Sequence, residues 1–386
     1  MTDEPNCQKY GVPFYGASWV PPSVLSRSDL TKSDREEKPK EEEETDDIPK
    51  GNYLVFAGGG GEGRSGIPNA IVVSEFDFAS NSLSATPVAK LGTGTDLPYR
   101  MTVHPGGEGL ICSLPNSCRW FEWDAAESSE VQQVCVKASE KELPQLENIG
   151  QQLALSFSSD GSMLALGDEN GYLRVFKWPS MEVIIDEEKA HSSVKDLHFS
   201  PDGRFLVSIG RGSPCRIWDM KSSTAIASLS KENDEVFGFG RFSQTSDGKQ
   251  VLYIAAMRGQ GGYIVMWNTD SWKRRGSKQV VRDPISAFDV SADGKLLAIG
   301  TVQGDIYIIN SAMAVQMIVK KAHLGLVTAL MFSNDTRALV SSSLDSSARV
   351  TLVVEKQQKG LSLWVVLLFI VLAISAYFIQ TKGYLP

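Results

Sequence analysis

The sequence repeats a pattern of apolar strand, turn and apolar strand, and the spacing of these repeats limits the fold more than any other feature. The turn residues of five copies follow one another at intervals of 42 to 46 residues; they are Gly161, Gly203, Gly248, Gly294 and Thr336. Intervals of this length are typical of the four-stranded blades of WD-type β-propellers. The pattern therefore predicts an all-β fold in which each copy forms one blade.

Two further copies precede these five. In residues 99–124, Gly107 aligns with the turn position, and a polar insertion at 125–150 lengthens the step to the next copy. Residues 53–91 contain two strand-like segments, YLVFA and AIVVSEFDF, but a glycine-rich loop replaces the usual turn between them. Seven copies predict a closed seven-bladed propeller spanning residues 51–355.

A closed ring needs a latch, in which a strand from one end of the chain completes the blade formed by the other end. Residues 12–20, VPFYGASWV, have strand composition, and the charged stretch 26–50 separates them from the first blade. That stretch has no apolar periodicity and is expected to be a disordered linker. We expect residues 1–25 to supply the latch, with 12–20 beside 327–353 in the last blade.

Residues 361–379, LSLWVVLLFIVLAISAYFI, are apolar on every helical face and contain no charged residue. As a helix they would span ~28 Å, about one hydrocarbon core. They predict one C-terminal transmembrane helix, followed by a short tail at 380–386. Lys356 and Lys359 precede this helix and only Lys382 follows it, so the propeller is expected in the cytosol and the tail in the lumen. The short apolar length suits the thin membrane of the endoplasmic reticulum.

Charge and cysteine content argue against two classes of site. The chain carries a formal charge of −8 and no lysine- or arginine-rich stripe, which disfavours nucleic acid as a partner. Its five cysteines include no C-x-x-C pair. We therefore expect reduced thiols, without a disulfide framework or a zinc site.

The histidines of the repeats have two interpretations. His191 and His323 each precede a repeat by a few residues, while Trp218 and Asp345 lie near repeat ends. A catalytic His–Asp pair is one interpretation. WD repeats often place His, Asp, Ser or Thr and Trp in a hydrogen-bonded network within one blade, and we favour this structural role. No Ser/His/Asp triad or G-x-S-x-G elbow accompanies them, so covalent catalysis is not expected.

The glycine-rich segment at residues 53–73, YLVFAGGGGEGRSGIPNAIVV, is the most informative part of the sequence for function. Gly61, Gly63 and Gly66 match the G-x-G-x-x-G pattern of dinucleotide-binding turns. Such turns open a helix, whereas here Pro68 and a β-branched strand follow. The alternatives are a long mobile hairpin loop and a loop organised by an ion or a partner, since glycine lets backbone carbonyls converge.

A G-G-G-G-x-x-x-x-G-[IV]-x-N loop in the first blade, a seven-bladed propeller and a single C-terminal membrane helix together resemble the prolactin regulatory element-binding protein family. The resemblance covers almost the whole chain, and the short far-side tail is similar to the plant-type form. It implies a guanine nucleotide exchange factor for the small GTPase Sar at the endoplasmic reticulum, where it initiates COPII assembly and ER-to-Golgi transport. Exchange involves no covalent chemistry, so the resemblance implies a nucleotide-exchange catalyst, not an enzyme in the covalent sense, with no nucleotide bound directly.

The resemblance also implies roles for residues of the loop. In that family the loop is ordered by a potassium ion and projects toward the nucleotide site of the GTPase. Ile67 would be the apolar tip that engages Sar, while Gly66 and Asn69 would shape the exchange loop. The potassium ligands would be mainly backbone carbonyls, from Gly58, Gly59, Gly60, Gly61 and Asn69.

A rival function comes from the same superfamily. Proteins similar to the phosphate transporter traffic facilitators act as membrane-tethered scaffolds or cargo-exit facilitators without exchange activity. The intact loop with Ile67 and Asn69 favours exchange over this alternative. COPII components or cargo would be further partners, and the acidic charge disfavours the DNA-binding role that the family name suggests.

Overall fold

The computed structural model describes residues 4–25, 52–63, 65–126, 133–232, 234–245, 248–353, 371–374 and 377 of the chain. The chain divides into two compact units, Met1–Val353 and Val354–Pro386. The first unit consists mainly of strands, with one 3-10 helix at Pro144–Leu146 and a helical turn at 22–25 among its described residues.

In chain order the strands are β1 (Cys7–Lys9), β2 (Phe14–Trp19), β3 (Asn52–Gly58), β4 (Asn69–Asp77), β5 (Ser82–Leu83), β6 (Ala89–Gly94), β7 (Arg100–Val103), β8 (Gly109–Ser113), β9 (Cys118–Ala126), β10 (Gln133–Ala138), β11 (Gln152–Phe157), β12 (Met163–Asp168), β13 (Leu173–Lys177), β14 (Val183–Glu187), β15 (Ser193–Phe199), β16 (Phe205–Arg211), β17 (Cys215–Asp219), β18 (Thr224–Leu229), β19 (Val236–Gln244), β20 (Gln250–Arg258), β21 (Gly261–Asn268), β22 (Arg274–Val281), β23 (Ile285–Val290), β24 (Leu296–Thr301), β25 (Ile306–Asn310), β26 (Val315–Val319), β27 (Val327–Phe332), β28 (Ala338–Ser343) and β29 (Ser347–Leu352).

The strands of the described ranges form seven antiparallel sheets, which are the blades of a propeller. Blades 2 to 6 each use four consecutive strands, from β7–β10 to β23–β26. The innermost strands β2, β7, β11, β15, β19, β23 and β27 contact one another in this order, and β27 contacts β2. The ring is closed, and the predicted seven-bladed all-β propeller is confirmed.

The N-terminal segment differs from its predicted position. We expected residues 12–20 in the last blade, but β2 pairs with β3 and forms the innermost strand of blade 1. The outer strand of the last blade is β1, which pairs antiparallel with β29 through Cys7↔Arg349 and Lys9↔Ser347. The placement of 12–20 was therefore wrong. Both β1 and β2 have strand composition. Which blade each of them joins is decided by where the open edges of the last blade and of blade 1 lie in the ring.

A Ser-x-Asp-Gly turn joins the first two strands of several blades and accounts for the repeated motif. Ser158 Oγ donates to Asp160 Oδ1 at 2.6 Å, and the Met163 N–H donates to Ser158 Oγ at 2.9 Å. The hydrogen bond from Ser158 lowers the pKa of Asp160. Gly161 has a φ of +74°, which glycine adopts without steric cost. The same pair of hydrogen bonds recurs at Ser200, Ser291 and Ser333.

The hydrophobic core lies between adjacent blades. Between blades 1 and 2, the buried side chains of Val55 and Ile71 belong to one cluster with Leu110 and Cys112. Between the last blade and blade 1, a further cluster joins β28 and β29 to β2, β3 and β4. Because every blade buries both faces against its neighbours, ring closure completes the core of the first and last blades.

The predicted linker at 26–50, the tail at 380–386 and most of the predicted membrane helix at 361–379 lie outside the described residues. Of that helix, residues 371–374 and 377 are helical. Among the residues that the structure describes, no helix has both the length and the apolar character needed to cross a membrane.

Candidate functional site

The glycine loop, residues 58–69, joins β3 to β4 on one edge of the ring. This edge, where the innermost strands begin, is called the loop face; it also carries the connections 302–305 and 320–326. The residues that follow the loop form strand β4 and not a helix. The loop therefore lacks the helix N-terminus that binds pyrophosphate in a dinucleotide site, as its sequence predicted.

Asn69 organises the loop from its base. Its side chain is buried, with 3% of its surface exposed. Asn69 Nδ2 donates to the carbonyl oxygens of Gly61 at 2.8 Å and Gly94 at 3.0 Å, while Asn69 Oδ1 accepts from the Gly61 N–H at 3.0 Å. The amide thus satisfies both backbone groups of Gly61 and ties the loop to the end of β6. The sequence predicted that Asn69 shapes the loop but contains no signal for its bond to Gly94.

The first glycines of the loop are required by close approach. A Cβ on Gly59 would lie 2.1 Å from Asn69 Oδ1, and a Cβ on Gly60 would lie 2.1 Å from Ser65 Oγ and 2.8 Å from Ile67 Cβ. Ordinary side chains do not fit at such distances. The loop therefore folds back on itself so tightly that its two arms are in contact, which favours the organised loop over the mobile hairpin among the two sequence-based alternatives.

Ile67 lies on the exposed arm of the loop. Its side chain is 36% exposed, and its N–H donates to Ser65 Oγ at 3.2 Å. Ser65 Oγ in turn donates to the Gly60 carbonyl at 3.2 Å. Gly66, with a φ of +71°, turns the chain immediately before Ile67. These contacts hold an apolar side chain at the surface of a loop whose other residues are glycines, polar residues and Pro68.

The loop oxygens fit a potassium ion only in part. Potassium is bound in proteins by neutral carbonyl oxygens, and the loop supplies this type of ligand. The Gly61 carbonyl, however, already accepts from Asn69 Nδ2 and from the Gly63 N–H, and a carbonyl has only two lone pairs. Gly60 O and Asn69 Oδ1 each accept one hydrogen bond and retain a lone pair. These two oxygens fit an ion better than Gly61 O does.

The histidines of the repeats lie in structural networks within their own blades. His191 Nε2 shares a hydrogen bond with Ser208 Oγ at 2.8 Å, and Trp218 Nε1 donates to the same hydroxyl at 2.9 Å. His323 pairs in the same way with Ser341 Oγ, at 2.8 Å, and with Ser347 Oγ. Burial lowers the pKa of both imidazoles to about 4, so both are neutral at physiological pH. The structural interpretation of these residues is confirmed.

A second polar site, on the propeller axis, was not predicted from the sequence. A cavity of about 430 Å³ is lined by the innermost strands. Within it, Arg241 Nη1 contacts Asp196 Oδ2 at 2.7 Å, and Arg241 Nε lies 3.8 Å from Asp289 Oδ1. Burial raises the pKa of Asp289 to about 6. The residues come from different blades, and their separation in sequence conceals the cluster.

Comparison with known families and proteins supports the propeller fold and identifies relatives of the chain. Residues 155–258 match the family described as the anaphase-promoting complex subunit 4 WD40 domain, and residues 315–351 match the WD domain, G-beta repeat. SEC12-like protein 2 of Arabidopsis thaliana is 50% identical over 94% of this chain and 92% of its own length. SEC12-like protein 1 of the same plant is 33% identical over 80% of this chain and 78% of its own. The guanine nucleotide-exchange factor SEC12 of Mus musculus is 23% identical over 84% of this chain and 90% of its own.

Proposed function

The chain belongs to the family of SEC12 and SEC12-like proteins, and from this membership we propose that it is a guanine nucleotide exchange factor for a small GTPase. The partner we propose is Sar, loaded with GTP at the membrane of the endoplasmic reticulum to initiate COPII assembly. The observation that carries the proposal is the glycine loop, which is hydrogen-bonded through Asn69 and exposes the side chain of Ile67. Relatives named as exchange factors align with this chain over most of its length.

The chemistry of the loop face suits a protein partner. Besides Ile67, the aliphatic side chains of Val236, Val302 and Leu324 are 38 to 57% exposed, and all three lie at or beside connections on this face. Val183 and Val315 are similarly exposed elsewhere, so these side chains support docking here only together with the glycine loop. We propose that the GTPase docks on the loop face, so that Ile67 reaches its nucleotide site.

Exchange of this kind needs no bond chemistry. A GTPase is stabilised by its bound nucleotide, and a partner that binds the empty GTPase more tightly weakens nucleotide binding by the same free energy. A rigid loop performs this displacement well because little conformational entropy is lost when it docks. The three hydrogen bonds of Asn69 and the tight packing of Gly59 and Gly60 would supply that rigidity.

We propose the remaining parts of the function on the apolar C-terminal sequence and on the family resemblance. Residues 361–379 would anchor the propeller on the cytosolic side of the membrane, and this would restrict the activated GTPase to that bilayer. A potassium ion would be held by carbonyls of Gly58 to Gly60 and by Asn69 Oδ1, and it would add further order to the loop. Slower amide hydrogen exchange at residues 59–63 in potassium buffer than in sodium buffer is the expected result; equal rates would contradict the potassium site.

The test of exchange is the rate of GDP release from Sar. The purified full-length chain should accelerate release of a fluorescent GDP analogue, and Ile67→Ala should reduce that acceleration by about tenfold, equivalent to about 1.4 kcal/mol of lost binding. Ile226→Ala is the matched control, because Ile226 is also exposed but lies on the outer strand β18. It should leave the rate unchanged.

Release at the intrinsic rate would contradict the exchange function and favour the scaffold. In that case the chain would still bind Sar, COPII components or cargo without changing nucleotide release. Acceleration that is equally sensitive to both substitutions would contradict the role of Ile67 but not the function.

A further inference from the structure

The mouth of the central cavity on the loop face is formed by one residue from the start of each innermost strand. In six blades a register shift at this point leaves one residue unpaired in the ladder; these residues are Tyr15, Leu153, Lys195, Gly238, Ser286 and Thr328. Such bulges redirect a side chain out of the regular strand pattern. In blade 2 the corresponding place is taken by Arg100, the first residue of β7. All of these residues except Gly238 line the cavity.

Polar residues at the mouth tie one blade to the next. Thr328 Oγ1 donates to the Phe14 carbonyl at 2.7 Å, and Ser286 Oγ donates to the Val327 carbonyl at 2.7 Å. Arg100 Nε donates to the Leu153 carbonyl at 2.9 Å. In each case the acceptor lies on the innermost strand of the following blade. In three blades, therefore, the side chain at this position links its blade to the next one.

Lys195 departs from this pattern. It lies at the same position in blade 4, lines the cavity and is half-buried. Among the described residues, its ammonium group makes no hydrogen bond or ion pair. Burial of part of this side chain removes water from around the ammonium group without supplying a counter-charge, and this disfavours its charged form.

The neighbours of Lys195 add to the positive charge. Arg211 pairs with Ser193 across β15 and β16, two residues from Lys195. Arg100 extends toward blade 4 by its bond to Leu153 in blade 3. Burial, followed by the charges of Arg211 and Arg100, lowers the pKa of Lys195. Arg100 and Lys195 therefore both lie at the mouth, and the exposed Arg211, outside the cavity lining, adds positive charge beside Lys195.

The carboxylates of the cavity do not neutralise this group. The cavity is lined by three cations, Arg100, Lys195 and Arg241, and by two carboxylates, Asp196 and Asp289. Both carboxylates contact Arg241, deeper in the channel. The mouth is thus positive in a chain whose formal charge is −8. A concave surface that carries several positive charges, partly shielded from water, attracts anions.

We propose that the mouth of the central cavity binds a small phosphate-bearing anion, held by Lys195 and Arg100, with Arg211 adding positive charge beside Lys195. Phosphate is the anion that suits a site with both lysine and arginine donors, since arginine offers paired N–H groups and lysine a mobile point charge. A cavity of about 430 Å³ lies within the range of small-molecule sites. The site is separate from the glycine loop and independent of the exchange function.

The test is calorimetric titration of the full-length chain with inorganic phosphate and with pyrophosphate, at one ionic strength maintained with chloride. We expect saturable binding of both, tighter for pyrophosphate because its two phosphate groups can contact Lys195 and Arg100 together. Lys195→Met should weaken binding by about tenfold or more, which is the scale of one lost charge-assisted hydrogen bond. Arg211→Gln should act in the same direction.

The matched controls are Lys90→Met on the outer strand β6 and Arg275→Gln on β22, both exposed side chains away from the cavity. They should leave phosphate affinity within about twofold, a change of less than ~0.5 kcal/mol. Absence of saturable binding, or equal losses in Lys195→Met and Lys90→Met, would overturn the proposal.

A second measurement uses stability in phosphate-free buffer. Lys195→Met removes a repelling charge while keeping the apolar stem, so it should raise the melting temperature relative to Lys90→Met. A lower melting temperature would mean that Lys195 stabilises the ring by itself, as Ser286 and Thr328 do, and would overturn the proposal.

Discussion

At the residue scale, Thr336 occupies the turn position that glycine holds in other blades. Its φ is +62°, close to the +74°, +67° and +69° of Gly161, Gly203 and Gly294. A β-branched residue in the left-handed region is strained, whereas glycine adopts it freely. The local hydrogen bonds of the turn, from Ser333 to Asp335 and from Ala338 to Ser333, evidently outweigh that strain.

Thr336→Gly should therefore stabilise the chain. We expect the free energy of unfolding in urea to rise by about 1 kcal/mol, the difference between relieved strain and the extra entropy of glycine in the unfolded chain. Thr224→Gly, at an exposed position in β18, is the control and should destabilise by a similar amount. A loss of stability in Thr336→Gly would mean that the threonine side chain makes a compensating contribution.

The buried histidines predict how stability depends on pH. Burial holds the pKa of His323 at about 4 in the folded chain, against 6.5 when unfolded. The unfolded state therefore binds more protons between these values, so this contribution is complete above pH 6.5 and is lost as the pH falls toward 4. His323→Gln should flatten the decline in unfolding free energy between pH 7 and 4.5 relative to the unsubstituted chain.

His191→Gln should flatten that decline to a comparable degree, because burial also lowers the pKa of His191 to about 4. Asp289, with its pKa raised to about 6, acts in the opposite direction, but it is present in all variants and cancels from the comparison. Identical pH slopes for the variants and the unsubstituted chain would contradict the assignment of neutral histidines.

At the element scale, the short strand β1 closes the last blade. Its ladder with β29 is extended by Asn6, whose Nδ2 donates to the Val350 carbonyl at 2.8 Å and whose carbonyl accepts from the Val350 N–H at 2.9 Å. Arg349 also pairs with Glu4 at 2.6 Å. Without β1, the backbone groups of β29 would face solvent as an open edge.

Deletion of residues 1–9 should therefore lower the unfolding free energy by roughly 2–4 kcal/mol, from several lost backbone hydrogen bonds. It should also increase aggregation on mild heating, measured by light scattering, because the exposed edge can pair with other chains. Lys9→Ala keeps the ladder and removes only an exposed side chain, so it should change stability by less than about 0.5 kcal/mol. If the deletion lowers the unfolding free energy no more than Lys9→Ala does, β1 does not act as the latch.

At the scale of the whole molecule, the N-terminal segment spans the joint of the ring. β1 belongs to the last blade and β2 to blade 1, and Tyr10, between them, is buried with a hydrogen bond to the Ser84 carbonyl. A cluster of buried side chains from both blades surrounds this segment. The segment therefore acts as a double latch, in which one strand secures each side of the joint.

The double latch predicts the behaviour of a cleaved chain. A protease site introduced in the predicted linker at 26–50 should allow cleavage without separation, since the N-terminal fragment retains two strands in two blades. The fragments should co-elute in size-exclusion chromatography in native buffer and separate in urea. The same cleavage in a chain lacking residues 1–9 should release the fragment more readily. Separate elution of the intact fragment in native buffer would contradict the double latch.

The features that the sequence predicts correctly are those formed by residues close together in the chain. The Ser-x-Asp-Gly turns form hydrogen bonds between residues at most five positions apart, so their period could be read directly and it predicted seven blades. The outlines of the glycine loop were predictable for the same reason, because its glycines and Asn69 lie within twelve consecutive residues. The family resemblance extended this local pattern to the roles of Ile67 and Asn69.

Only the tertiary structure decided which distant segments meet. The sequence alone determined that Cys7–Lys9 and Phe14–Trp19 could form strands, but the closure of the ring determined which blade each strand joins. The bond from Asn69 to Gly94 depends on the pairing of β4 with β6, and the placement of Lys195 and Arg100 at one mouth depends on how blades are arranged around the axis. The physical reason is the same in each case: these contacts join residues that no local periodicity relates, and they exist only because burial between blades closes the ring.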